Sequence, residues 1–218
     1  MVTPRIERSR RSSLTIQIDM HGNVIVKAPR LVPNFVIQNF IKEKSDWIEK
    51  TLGKVQTRKP IERRYEEGEL FLFLGKEHAL QFSLTTEIVA KNGKLYFPKA
   101  AHFRAQKELT AWYKKQAQDI ILKRLEYYAK RMQAEYTQVM FSDTKSKWGT
   151  CFPDNSLQFN FRLVMAPLMV LDYVVIHELT HTTEKNHGDA FWRRVRLFTP
   201  AYKQHRKWLE EHAHLLAI

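Results

Sequence analysis

The chain has 218 residues, 44% of them hydrophobic and 12% aromatic, which predicts a packed core and excludes a largely disordered protein. No apolar run approaches the roughly 20 residues that cross a bilayer, and the basic N-terminus, residues 1–11, has no apolar stretch behind it. The single cysteine, Cys151, excludes an internal disulfide and is typical of a reducing compartment. We therefore predict a cytoplasmic protein without a secretory signal or a membrane span.

The net charge of +13 is compatible with a nucleic-acid partner. Residues 1–60 carry 12 basic and 5 acidic side chains, a net of +7, whereas residues 151–218 carry 8 and 7, a net of +1. One interpretation is that the basic N-terminal region binds nucleic acid. An acidic substrate and simple solubility are the other two.

The N-terminal residues show the pattern of a β-hairpin followed by a helix. Residues 13–19 alternate apolar and polar side chains, residues 21–23 form a turn signal, and residues 24–26 begin a return strand. Pro33 then opens a stretch whose apolar residues recur at three- and four-residue spacing, which predicts an amphipathic helix. The polar run 53–64 indicates a linker.

A second strand-rich segment follows and leads into a long helix. Residues 70–74 and 80–84 predict strands, and the dipeptide Asn92-Gly93 predicts a tight hairpin turn before a strand at 95–97. Residues 104–135 then show the spacing of one long amphipathic helix.

The last third of the chain shows the pattern of one strand followed by two helices. Residues 157–163 alternate strictly and predict a strand after a turn at 153–155. Pro167 opens a predicted helix that runs through Leu179, and a shorter helix follows Gly188.

The most specific motif is the HExxH run at residues 177–181. Four residues advance a helix by about 40° of rotation, so His177 and His181 leave the same face one turn apart and can share a metal ion. Glu178 lies beside that face, where it can reach a water molecule on the metal without binding the ion. His187 is the best candidate for a third ligand, because it follows the predicted helix end and Gly188 can turn the chain back.

This set of residues predicts a zinc-dependent hydrolase. Three neutral imidazoles leave zinc with its full charge, which lowers the pKa of bound water toward neutrality. Glu178 can then take the proton of that water and pass it to a leaving amine. The sequence therefore predicts Zn²⁺ as cofactor, His177, His181 and His187 as metal ligands, and Glu178 as catalytic base of a metallopeptidase that cleaves a polypeptide.

Four motifs resemble those of the YgjP-like metallopeptidases, a group within the zincin superfamily. They are KSKWGTC at 145–151, NFRL at 160–163, DYVVIHELTH at 172–181 and NHGDAFW at 186–192. Weaker matches extend the resemblance over essentially the whole chain. It implies that His187 is the third ligand.

The predicted fold class is α+β. We expect an N-terminal β-hairpin and helix portion, followed by a zincin-like metallopeptidase domain in which the HExxH helix packs on a small sheet. The predicted division places a strand-rich portion with one amphipathic helix at residues 1–100 and the catalytic domain at residues 101–218.

Substrate-binding residues are predicted from the strand at 157–163. Zincins pair an edge strand with the extended substrate backbone, and this strand is our candidate for that edge. Asn160 and Arg162 share one of its faces and are therefore candidate substrate-binding residues. The group that stabilises the oxyanion has three candidates, Tyr173, Arg162 and His205.

Four other unusual residues have structural interpretations. Phe191 and Trp192 are expected to pack the final helix beneath the metal site, and Trp148 is expected in the core. Cys151 is expected to be a small buried residue.

Two other functions compete with the peptidase. Zinc-dependent endoribonucleases that mature ribosomal RNA share the spacing of the three histidines, and the basic charge suits RNA, but they lack a glutamate after the first histidine. A nucleic-acid-associated protease similar to the SprT type is the second alternative, although its third ligand follows a longer gap. Glu178 favours the peptidase.

Overall fold

The structure is a computed structural model that describes residues 4–18, 23–56, 61–144 and 147–218. In these residues six α-helices and three small sheets form a mixed α+β fold, which confirms the predicted fold class. The chain forms two compact units, Met1–Ile61 and Glu62–Ile218. The predicted functional division at residue 100 stays a prediction.

A three-stranded sheet forms the base of the first unit. Strands β2 (Thr15–Ile18) and β3 (Val24–Pro29) pair antiparallel, which confirms the two predicted strands, while the turn residues 21 and 22 lie outside the described residues. Strand β1 (Arg5–Ser9) pairs parallel with β3 and was not predicted. The central strand is therefore β3.

Two helices complete the first unit, α1 (Asn34–Glu43) and α2 (Ser45–Gln56). Lys44, the C-cap of α1, divides what the sequence pattern predicted as one helix. Gly53 lies inside α2, so the prediction that a linker begins there is wrong. Ile37 of α1 is fully buried in a small apolar cluster with residues of β3.

The second unit opens with a four-stranded sheet in the order β4-β5-β7-β6. Its strands are β4 (Leu70–Phe73), β5 (Lys76–Ser83), β6 (Val89–Lys91) and β7 (Lys94–Pro98). Asn92 and Gly93 have φ values of 52° and 71°, which the short hairpin turn between β6 and β7 requires. The predicted hairpin is confirmed.

The long helix α3 (Ala105–Met132) follows a 3-10 turn at Lys99–Arg104 and confirms the helix predicted for this segment. It ends where Gln133 adopts a left-handed conformation with φ 49°. One face of α3 is fully buried at four-residue spacing, through Leu109, Tyr113, Ala117, Ile121 and Leu125. This face packs into the core of the second unit.

A three-stranded sheet follows, made of β8 (Val139–Ser142), β9 (Gly149–Cys151) and β10 (Leu157–Asn160). Strand β10 pairs parallel with β8 and antiparallel with β9, so it is the central strand. The prediction that residues 157–163 form an edge strand is therefore wrong. The chain leaves the sheet after Asn160 into a 3-10 helix, Phe161–Met165.

Three helices close the second unit, α4 (Leu168–Thr180), α5 (Asp189–Phe198) and α6 (Tyr202–His212). Helix α4 begins after Pro167 and is buried on nearly all sides from Val170 onward, as an almost wholly apolar helix must be. Among the described helices, none combines the length and apolar character that a membrane span needs.

A buried carboxylate joins α3 to α4. Asp172 is 8% exposed and accepts two hydrogen bonds of 2.6 Å from Arg124, one from Nε and one from Nη2. The hydroxyl of Tyr128 donates a third, of 3.1 Å. This two-pronged geometry holds the first half of α4 against the long helix.

We expect Arg124→Met to lower the free energy of unfolding by about 2 kcal/mol, because it leaves the carboxylate of Asp172 buried without its cation. The matched control Lys123→Met, at an exposed neighbouring position, should change it by less than about 0.5 kcal/mol. Urea denaturation followed by circular dichroism measures both values. Equal losses for the two variants would contradict this role of the ion pair.

Candidate metal centre

The end of helix α4 carries two imidazoles of the HExxH run. His177 lies in its last turn and His181 is its C-cap residue, and the centroids of their rings are 4.9 Å apart. The helix is buried up to this end, because its apolar residues pack into the core on several sides. Both rings are therefore fixed to the core of the second unit.

The third imidazole comes from the connection between α4 and α5. His187 precedes Gly188, the N-cap residue of α5, and its ring turns back toward the end of α4. Its Nε2 lies 3.0 Å from Nε2 of His177 and 3.2 Å from Nε2 of His181. The potential ligand atoms of the three histidines lie within 4.8 Å of one another.

This spacing fits a single metal ion. A tetrahedral ion with bonds of about 2.0–2.1 Å separates two ligand nitrogens by about 3.3 Å. Nδ1 of His181 lies 3.0 Å from the carbonyl oxygen of Glu184, which can only accept, so Nδ1 carries the proton and Nε2 keeps its lone pair. Nδ1 of His177 is buried without a hydrogen-bond partner among the described residues.

Burial also keeps these imidazoles in the form that binds metals. It lowers the pKa of His177 to about 3, with smaller contributions from the neighbouring rings of His181 and His187. The pKa of His181 is likewise lowered, mainly by burial. Neutral rings offer lone pairs to a divalent cation that accepts imidazole.

Two aromatic rings of α5 pack against the three histidines. Phe191 of α5 is fully buried, and its ring centroid lies 4.5 to 4.9 Å from those of His177, His181 and His187. Trp192 stacks on His187 at 5.6 Å. The predicted packing of these two residues beneath the site is confirmed.

Glu178 is the buried carboxylate of this region, with 5% of its surface exposed. Burial raises its pKa to about 8, although a hydrogen bond from the backbone of Cys151 and the charge of Lys147 both act to lower it. The side chain lies against strand β9, where a Cβ added to Gly149 would meet its Oε1 at 2.5 Å. Its carboxyl group is thus enclosed between β9 and α4.

Two cavities meet at this carboxylate. The larger measures about 730 Å³ and the smaller about 340 Å³. Both are bordered by the same five residues, Lys147, Gly149, His177, Glu178 and His187. The larger one extends over Tyr173 and Leu209, and the smaller one over Cys151 and Lys185.

A family model for the YgjP-like metallopeptidase domain matches residues 12–212 of the chain. The chain belongs to the YgjP-like family. The predicted family is confirmed, and membership supports a metallopeptidase, which implies a hydrolase, a metal ion and a polypeptide substrate. Neither the search of curated proteins nor that of solved structures gave a significant match.

The predicted substrate residues of this YgjP-like chain lie away from both cavities. The amide nitrogen of Asn160 donates to the carbonyl oxygens of Thr144 and Lys147, so the side chain supports the loop before β9. Arg162 pairs with Asp143 and lies over the ring of Phe161. Their role in substrate binding stays a prediction.

The three candidates for oxyanion stabilisation differ in their position relative to the two cavities. Tyr173 borders the larger cavity, whereas neither Arg162 nor His205 borders either cavity. Burial raises the pKa of Tyr173 to about 12, so its hydroxyl remains a donor at neutral pH. Trp148, which was expected in the core, packs against the core and also borders the larger cavity.

Sequence reasoning missed Gly149 and the contribution of α6. Arg206 and Leu209 of α6 border the larger cavity, whereas the sequence pointed only to His205 of this helix, which borders neither cavity. Gly149 lies in the motif KSKWGTC at 145–151, but its inward-facing position follows from the pairing of β9 with β10, which the sequence did not predict. Cys151 is half-buried at the smaller cavity.

We expect the purified protein to bind one divalent zinc ion per chain and His187→Ala to weaken that binding at least about 100-fold, because one of three imidazoles is lost. His102→Ala, at an exposed position, is the matched control and should keep wild-type affinity. Competition with a fluorescent zinc chelator measures the affinities. Unchanged binding by His187→Ala would remove this residue from the metal centre.

Proposed function

We propose that the protein is a zinc-dependent metallopeptidase in which His177, His181 and His187 hold the ion and Glu178 is the catalytic base. The observation that carries this proposal is that Nε2 of His187 lies 3.0 Å from Nε2 of His177 and 3.2 Å from Nε2 of His181, beside a buried carboxylate that borders two cavities. Membership of a metallopeptidase family supports it.

The protein's own residues divide the chemistry of hydrolysis. A bound zinc ion supplies Lewis acidity, which lowers the pKa of a water molecule and polarises a carbonyl group. The positive charge of a bound ion would lower the pKa of Glu178 and favour its carboxylate form. In that form Glu178 could take a proton from the attacking water at a carboxylate oxygen and then deliver it to the leaving nitrogen. The backbone N–H of Cys151 lies beside that carboxylate and favours its charged form.

Strand β9 is the proposed site for the substrate backbone. The backbone N–H of Asn160 donates to the carbonyl oxygen of Trp148, and the backbone N–H of Phe152 donates to that of Ser156. Every second residue of the segment 148–152 therefore forms its backbone hydrogen bonds toward β10. By this alternation the backbone groups of Gly149 and Cys151 face away from β10. Because the N–H of Cys151 lies beside Glu178, an extended peptide that crosses from one cavity to the other would pair with this edge at Gly149.

Tyr173 is the proposed donor to the oxyanion. It lies one helical turn before His177, borders the larger cavity, and keeps its hydroxyl protonated. A hydrogen-bond donor directed at the developing negative charge stabilises the transition state more strongly than it stabilises the bound substrate.

We expect Glu178→Gln to retain zinc but to lose at least about 100-fold in kcat, because the amide cannot take up the proton. Glu184→Gln is the matched control, since only the backbone carbonyl of that residue contacts His181. The assay follows cleavage of unfolded polypeptides by mass spectrometry. Unchanged turnover of Glu178→Gln would exclude this carboxylate as the base.

The same pair of variants separates the competing functions. We expect no cleavage of structured or single-stranded RNA by either wild type or Glu178→Gln. RNA cleavage that is lost with the zinc ligands would replace the peptidase with a ribonuclease. The described residues provide no observation that favours the nucleic-acid alternatives.

We expect Tyr173→Phe to lower kcat by about 100-fold with little change in KM, because one donor to the oxyanion is lost. Tyr127→Phe, at an exposed position of α3, controls for loss of a tyrosine hydroxyl elsewhere. A wild-type kcat in Tyr173→Phe would exclude this residue as the donor.

A further inference from the structure

Gly149 occupies an inward-facing position of strand β9. It is paired with Phe159, and Cys151 with Leu157, across the two strands. Paired residues of antiparallel strands share a face of the sheet, and Phe159 and Leu157 are both fully buried. From this strand pairing we would expect a buried side chain at position 149, but glycine has no side chain.

The space for that side chain is taken by Glu178. A Cβ added to Gly149 would lie 2.5 Å from Oε1, 2.6 Å from Cγ and 2.8 Å from Cδ of Glu178, where ordinary contacts begin at 3.4 Å. Rotation of the carboxyl group alone does not relieve this overlap, because Cγ is also involved. The side chain as a whole would have to move by roughly 1 Å, into the cavities beside it.

Glycine is required at this position for space and not for backbone conformation. The φ angle of Gly149 lies outside the left-handed region, unlike those of Gly68, Gly75 and Gly93. Alanine could therefore adopt the same backbone without strain. A substitution at position 149 consequently probes one contact, the one with Glu178.

We propose that Gly149 is a positioning residue for the catalytic carboxylate. Its missing side chain lets Glu178 lie directly beneath β9, where the carboxylate borders both cavities. A side chain at position 149 displaces the carboxylate while the imidazoles of α4 and His187 keep their places. The role in catalysis rests on the proposed function of Glu178.

The contact is tested first by protein stability, which requires no enzyme activity. Gly149→Ala should lower the Tm by about 3 °C or more when Glu178 is present, because of the overlap. In a Glu178→Ala background the space is open, so Gly149→Ala should leave the Tm unchanged or raise it, since alanine restricts the unfolded chain. An equal loss of Tm in both backgrounds would overturn the proposed contact.

Positioning is then tested by kinetics and zinc binding. Gly149→Ala should lower kcat by about 100-fold, the cost of a displacement of about 1 Å, with KM and zinc affinity near wild-type values. Gly53→Ala is the matched control, because a Cβ there meets no atom of the described residues within 4 Å, and it should retain full activity. A uniform rise in KM or a loss of zinc would indicate a general distortion and overturn the positioning role.

A double-mutant cycle with Glu178→Asp separates positioning from other effects on catalysis. Aspartate is shorter by one methylene group and withdraws from β9, so Gly149→Ala should reduce its residual kcat less than about threefold. The same 100-fold loss in both backgrounds would overturn the proposal. If wild type cleaves no polypeptide, the proposed function fails and the positioning role with it, while the stability cycle still decides the contact itself.

Discussion

The burial of helix α4 is the constraint on which the site depends. The helix carries His177 and Glu178 in its last turn, inside a core made of apolar side chains. Burying polar groups in such surroundings costs free energy unless each one has a partner. The carboxylate lies beside the backbone N–H of Cys151, and Nε2 of His177 lies 3.0 Å from Nε2 of His187. A metal ion would satisfy the remaining lone pairs at one point.

Neighbouring elements fix the orientation of α4 from different sides. The ion pair of Arg124 and Asp172 holds it to α3, and Phe191 of α5 lies under the three imidazoles. Strand β9 closes the side of Glu178 at the position of Gly149. Because each contact limits a different motion, the imidazoles and the carboxylate keep one geometry without relying on loops alone.

The cleft is unequal on its two sides, which bears on the substrates that suit it. Leu209, Val174 and Trp192 border the larger cavity, whereas Thr150 and Lys185 border the smaller one. A polypeptide that crosses β9 would therefore meet a wide space with apolar side chains, Arg206 and Glu210 on one side of the proposed cleavage point, and a narrower space with Lys185 on the other. This difference arises because α6 contributes to one cavity only.

Local spacing by itself determined the features that depend on residues close in sequence. The distance of four residues between His177 and His181 predicted their common face, and Asn92-Gly93 predicted its turn, because helix rotation and turn conformation are local properties. Tertiary structure alone decided the order of strands in the sheet, in which β10 is central and β9 forms an edge. It also decided that Gly149 lies against Glu178. Such contacts join segments about thirty residues apart through packing of the whole core, which no local periodicity records.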